Sequence, residues 1–163
     1  MKVGMAWLMT CRGIPQLYYG NEILMPGFTS PNDGHVRKDF PGGWKGDTKN
    51  AFTAQDLTPQ EKDFQEYTMK LAQFRKTSSA IGHGKMTQFV PENGMYVYFR
   101  HNEKQKVMVV MNTNSDEKPL QLERFKEMTK GYLAARDVTH QGSLNLSGEW
   151  KVPGMTCWVL ELK

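Results

Sequence analysis

Between Arg12 and Trp44 the chain collects the side chains with the most chemistry to offer. Asp33 and Arg37 lie four residues apart, His35 stands between them, and Phe40 and Trp44 follow. A carboxylate accepts hydrogen bonds from neighbouring hydroxyls, and a guanidinium donates in a planar fork. The pair can therefore grip a polar ligand, or close a salt bridge that only shapes its own loop. Phe40 and Trp44 offer flat apolar faces with polar edges, suited to stacking on a ligand or to anchoring a Gly-rich loop. His35 reads as a solvated surface histidine, and Asn21-Glu22 as structural hydrogen-bonding groups.

Such residues must be held by the elements around them. Ile14 to Tyr19, closed by Gly20, reads as a short strand buried on both faces, as in a parallel sheet. Residues 20–57 then form a loop with at most a turn or two of helix. That is too long for a mere connector, since most connections run roughly 4–6 residues. Upstream, residues 1–11 read as a helix apolar nearly all round, stopped at Arg12-Gly13. Downstream, Thr58-Pro59-Gln60-Glu61 is a capping box that starts a helix running to about Lys76. Its apolar stripe is Phe64, Tyr67, Leu71 and Phe74.

Near Gly82-His83-Gly84 the pattern changes from helical to alternating. Strands are expected at 86–90, 95–100, 106–112, 119–122, 132–138, 144–146 and 156–162, with a further one near 149–152. Glu123 to Lys130 reads as a short helical interruption. This spacing of short strands predicts an antiparallel sandwich or small barrel.

Size and composition exclude several classes of function. The 163 residues suffice for one domain or two small ones. The net charge is +4, and the basic residues are scattered rather than gathered into a tract, which argues against nucleic-acid binding. No apolar run approaches the roughly 20 residues of a membrane span, so no membrane partner is expected. The apolar start lacks a small-x-small cleavage site and reads as a buried helix rather than a signal peptide. Cys11 and Cys157 sit in unrelated apolar surroundings and imply no disulfide scaffold. The four histidines show no metal-ligand spacing, so neither metal nor cofactor is expected.

The segment GIPQLYYGNEI, preceded by an apolar helix and followed by a D-x-x-x-R loop, resembles the end of the catalytic barrel of α-amylase-family glycoside hydrolases. The neopullulanase and cyclomaltodextrinase branch is the most similar. DGHVRKDFPGGW resembles the loop after the eighth barrel strand. MKLAQFRKTSSAIGHG looks like the last barrel helix, and MYVYFRHNEKQKVMVVMNTN and VPGMTCWVLELK resemble the C-terminal antiparallel domain. The resemblance implies an α+β chain. Residues 1–82 would be the last helix-strand-helix part of a (β/α)8 barrel, and residues 83–163 an antiparallel β-sandwich.

It also implies an α-glucan-degrading parent, a retaining hydrolase acting on starch, pullulan or cyclodextrin. Asp33 and Arg37, with Phe40 and Trp44, would then contact the α-glucan oligosaccharide. The family's catalytic residues, two Asp and one Glu, belong to motifs that do not occur here, so no catalytic residue is assigned and this chain is expected to be inactive alone. The alternative is a stand-alone carbohydrate-binding or structural sandwich, with Trp150 and Trp158 as either a binding face or core packing. Self-association through residues 1–24 is expected if their apolar faces are uncovered. The parent's location, cytoplasmic or exported, is left open.

Overall fold

A computed structural model describes residues 1–140 and 142–163 of the chain. The residues group into two compact units, one of Met1–Pro15 with Lys70–Lys163, the other of Gln16–Met69.

The first unit is built on continuous apolar runs. In β2 (Met95–His101) and β3 (Lys106–Asn112) nearly every residue is buried. Strands with two apolar faces must be covered on both sides. They lie inside a six-stranded antiparallel sheet ordered β1-β2-β3-β8-β5-β6, where β1 is Lys85–Gln88, β5 Ala134–Asp137, β6 Ser143–Asn145 and β8 Thr156–Leu162. A second sheet pairs β4 (Lys118–Gln121) with β7 (Glu149–Val152).

The register decides which side chains meet. Val97 opposes Val110, Phe99 opposes Met108, and Met108 opposes Leu160. These side chains form one core with Leu120, Trp150 and Val152 of the small sheet and with Phe125. The opposite face of the large sheet carries Tyr98, Val107, Val109 and Val159, all fully buried. It is covered by α1 (Lys2–Thr10) and α3 (Ser79–His83). Met5, Ala6 and Met9 are the buried residues on the sheet-covering side of α1, and Thr10 Oγ1 meets Tyr98 OH at 2.6 Å.

The C-terminal end of α1 leaves carbonyls with no partner inside the helix. Two arginines supply donors. Arg75 donates to the carbonyls of Met9 (2.8 Å) and Gly13 (2.7 Å). Arg100, on β2, donates to those of Thr10 (3.0 Å) and Cys11 (2.8 Å). Its other amino group reaches Ile81 and Gly84 at the end of α3. Cations there also complement the negative end of the helix dipole.

The capping box forms as expected: Glu61 N donates to Thr58 Oγ1 at 3.2 Å, and Thr58 N to Glu61 Oε2 at 2.8 Å. Helix α2 spans Pro59–Thr77. The interruption over 123–130 forms as the 3-10 turn Leu122–Phe125 and the short α4, Lys126–Thr129.

One expected element is absent. Ile14 to Tyr19 is not a strand, and Ile14 is 96% exposed with Tyr18 at 52%. An apolar run becomes a strand only beside another strand, because isolated backbone groups stay hydrogen-bonded to water. Among the described residues no strand pairs with this one.

Candidate functional site

The Gln16–Met69 unit is mostly loop, so its order rests on a small apolar centre and on side chains that bond to backbone. Ile23, Ala51 and Leu57 form that centre, with Met25, Phe40 and Ala54 packed on it. Asp47 Oδ2 accepts from the amides of Gly42 (2.8 Å) and Trp44 (3.1 Å), which folds residues 42–47 into a turn. Asn50 Oδ1 accepts from Phe52 and Thr53 amides in the same manner. Gly42 takes a positive φ of 101°, and a Cβ there would lie 2.5 Å from Asn50 Oδ1, so glycine is required.

The loop's ionic partners are equally fixed. Lys49 Nζ lies 2.8 Å from both carboxylate oxygens of Glu61. The Lys49 ammonium, and after it the Thr58 amide, hold the Glu61 carboxyl below its usual range. Glu61 and Asp47 are thus occupied in holding the fold.

The expected binding residues separate into two kinds. Asp33 lies in the 3-10 turn Asp33–Val36, whose start is capped by the Asn32 side chain accepting from Gly34 N at 2.9 Å. Arg37 ends that turn. Both are exposed, as is His35, and among the described residues no ion pair joins Asp33 to Arg37. The loop-shaping salt bridge is therefore not what their spacing makes. Phe40 is half-buried against the apolar centre, its ring 5.1 Å from that of Phe52, and acts as the loop's anchor. Trp44 is the opposite: its backbone is pinned by Asp47 while its side chain stands 67% exposed.

The unit also has a cavity of about 220 Å3 whose lining includes Lys38, Asp39, Lys49 and Glu61 beside Ile23 and Met25. None of the four expected residues lines it. Lys38 and Asp39 were passed over in the sequence, although this charged pair sits directly between Arg37 and Phe40.

The Tyr18 and Tyr19 rings lie tilted at 33° with centroids 4.6 Å apart, and the hydrogen bond with Tyr18 raises the Tyr19 pKa above its usual value. In the other unit, Trp150 is 8% exposed and its indole N–H donates to Asn145 O at 2.9 Å. It is core, meeting Trp158 edge-on at 5.9 Å, so the two indoles form no open stacking face together. Among the described residues no group of His, Cys, Asp and Glu side chains could hold a metal ion.

The sequence that forms these sheets matches a described family. The family model for the cyclo-malto-dextrinase C-terminal domain covers residues 86–161. This segment belongs to that family. The span runs from β1 to the last residues of β8, so the expected α-amylase-family relationship of the sandwich is borne out.

The cyclomaltodextrin glucanotransferase of Geobacillus stearothermophilus is 29% identical over 113 residues, which is 69% of this chain and 13% of that protein. The same enzyme of Niallia circulans is 31% identical over 114 residues, 70% of this chain and 13% of its own length. The chain thus aligns with only about an eighth of these relatives. In fold, an Anoxybacillus α-amylase superposes with a TM-score of 0.73 at 20% identity, over 99% of this chain and 31% of that one. The α-amylase of Geobacillus thermoleovorans, solved with acarbose, gives 0.72 at 20% identity over 99% and 32%. The chain therefore shares its fold with about a third of each of these α-amylases, and over residues 86–161 it matches the cyclo-malto-dextrinase C-terminal domain.

Proposed function

We propose that the chain is the C-terminal part of a retaining, α-glucan-hydrolysing enzyme. Residues 1–82 correspond to the end of its catalytic (β/α)8 barrel and residues 83–163 to its sandwich domain. The observation that carries this reading is the reach of the α-amylase superposition, which extends over 99% of the chain while the family segment occupies residues 86–161. The helix and loops ahead of the sandwich share in the likeness.

In this reading Asp33, Arg37 and Trp44 face an α-glucan in the assembled enzyme. An exposed carboxylate and guanidinium bond ring hydroxyls, and Trp44 offers its face to a pyranose. Phe40 supports them from beneath. Retaining hydrolysis needs two carboxyl groups about 5 Å apart across the bond. Glu61 and Asp47 are each committed to structural hydrogen bonds, and the chain supplies no catalytic group. Residues 1–24 carry uncovered apolar side chains that draw copies together.

The test is incubation of the chain with starch, pullulan and cyclodextrin, followed by a reducing-sugar assay. No product above the buffer control is expected. Turnover that falls on replacing any carboxylate of this chain would overturn the assignment.

A further inference from the structure

The sandwich unit has a cavity of about 400 Å3 that the proposed function leaves unused. It is lined by Asp137, His140, Ser143, Leu144, Thr156 and Trp158, among others. We propose that this cavity is a second carbohydrate subsite, which takes one or two neutral glucosyl units well away in sequence from the Asp33–Trp44 loop. The choice of glucosyl units rests on the α-glucan reading above, whereas the site itself rests on its own geometry.

That geometry is built around a buried carboxylate. Asp137 is 6% exposed. Its Oδ1 accepts from Thr139 N (2.7 Å), Thr139 Oγ1 (2.8 Å) and His140 N (3.0 Å). Its Oδ2 lies 3.0 Å from His140 Nδ1. The Thr139 hydroxyl has one proton and gives it to Asp137, so towards His140 Nδ1, 2.9 Å away, it can only accept. Both neighbours of Nδ1 are therefore acceptors, and Nδ1 must carry the hydrogen. This leaves Nε2 of the neutral ring as a free acceptor, on a side chain that is 56% exposed and lines the cavity.

A histidine locked in one tautomer by a buried carboxylate is pre-organised to receive a hydroxyl proton. The Ser143 hydroxyl of the lining adds a donor and an acceptor, while Thr156 Oγ1, which donates to Gly154 O at 3.1 Å, adds an acceptor. Trp158 supplies the apolar surface, and its indole is fixed in place by the edge contact with Trp150. One aromatic face and a few placed polar groups, with the Asp137 carboxylate already engaged by Thr139 and His140, suit a neutral polyhydroxylated ring. The volume is that of one or two hexoses rather than a long chain.

The experiment titrates the whole chain with maltose and maltotriose. Trp fluorescence is followed together with the imidazole signals in a two-bond proton–nitrogen spectrum. Saturable binding is expected, with His140 in the Nδ1–H form before and after. Affinity should fall about tenfold in His140→Ala, the loss of roughly one hydrogen bond, and should stay unchanged in Leu133→Ala, an exposed position outside the cavity lining. His140→Gln, which keeps an acceptor, should recover part of the loss. Trp158→Phe is a milder probe of the apolar wall that spares the core, and it too should weaken binding.

Binding lost in Trp44→Ala but kept in His140→Ala and Trp158→Phe overturns the subsite and leaves the α-glucan reading standing. Binding of an unrelated sugar such as mannitol with equal strength overturns the choice of ligand. The absence of any saturable binding overturns the subsite outright.

Discussion

At the scale of single residues, Arg100 does the most for the least obvious reason. It is 3% exposed and has no carboxylate partner among the described residues, yet its guanidinium meets four backbone carbonyls from the ends of two helices. Burial, reinforced by the nearby Arg75 charge, pulls its pKa below the usual arginine value. The cost of burying the charge is offset by charge-assisted bonds to carbonyls that would otherwise lie unpaired. Its Nε alone finds no partner. Arg100→Met keeps the volume and removes every donor, so we expect a loss of about 3 kcal/mol in urea unfolding. Arg75→Met should cost only about 1 kcal/mol, because its Gly13 acceptor is exposed and water can replace the donor. Equal losses in the two variants would mean that burial of the carbonyls is not what sets the scale.

At the scale of elements, the start of α2 joins helix and loop through one carboxylate. Glu61 caps the Thr58 amide and holds Lys49, and both interactions favour its ionised form. Its pKa is lower in the folded chain than the ordinary 4.5. Protons therefore bind more readily to the unfolded state, and the contribution to stability is complete above about pH 4.5. It disappears as the pH falls through the lower, folded value. Glu61→Gln should flatten that part of the stability–pH curve and leave the region near pH 7 to report only the lost ion pair. Thermal melts between pH 3 and 7 measure both, and an unchanged acid limb in the variant would show that other carboxylates dominate.

This capping box was legible in the sequence because all of its information is local. So were the eight strands to within a few residues, since alternation and turn residues mark each strand separately. Ile14–Tyr19 was misread because a strand is a property of two segments, and the run carries no sign of whether a neighbour is present. Lys38 and Asp39 were missed for a related reason. Their approach to Lys49 and Glu61 is set by how the loop folds back, which residue spacing within the loop does not encode.

At the scale of the whole molecule, the question is how much apolar surface near the start of the chain remains uncovered. Within the first unit, α1 buries Met5, Ala6 and Met9 against the sheet, yet Met1 is 79%, Trp7 46% and Ile14 96% exposed. Within the second, Tyr18 and Tyr19 are 52% and 43% exposed. Single exposed apolar residues are ordinary, but this concentration in one short segment is the pattern of surfaces that seek a partner. A second copy of the chain is always available to serve as one.

We therefore expect the apparent mass in light scattering to rise with concentration. Ile14→Asp should reduce the rise sharply, since it costs nothing in the fold at so exposed a position. Trp7→Ser should act in the same direction but less, because part of its indole is already covered. Salt should strengthen rather than weaken the association, as apolar contact demands and ionic contact does not. A mass that stays at the 18.7 kDa of one chain at every concentration would remove the segment as an association surface. Association that persists unchanged in Ile14→Asp and Trp7→Ser would move the contact elsewhere, with the exposed Phe28, Trp44 and Phe52 of the loop unit next to be examined.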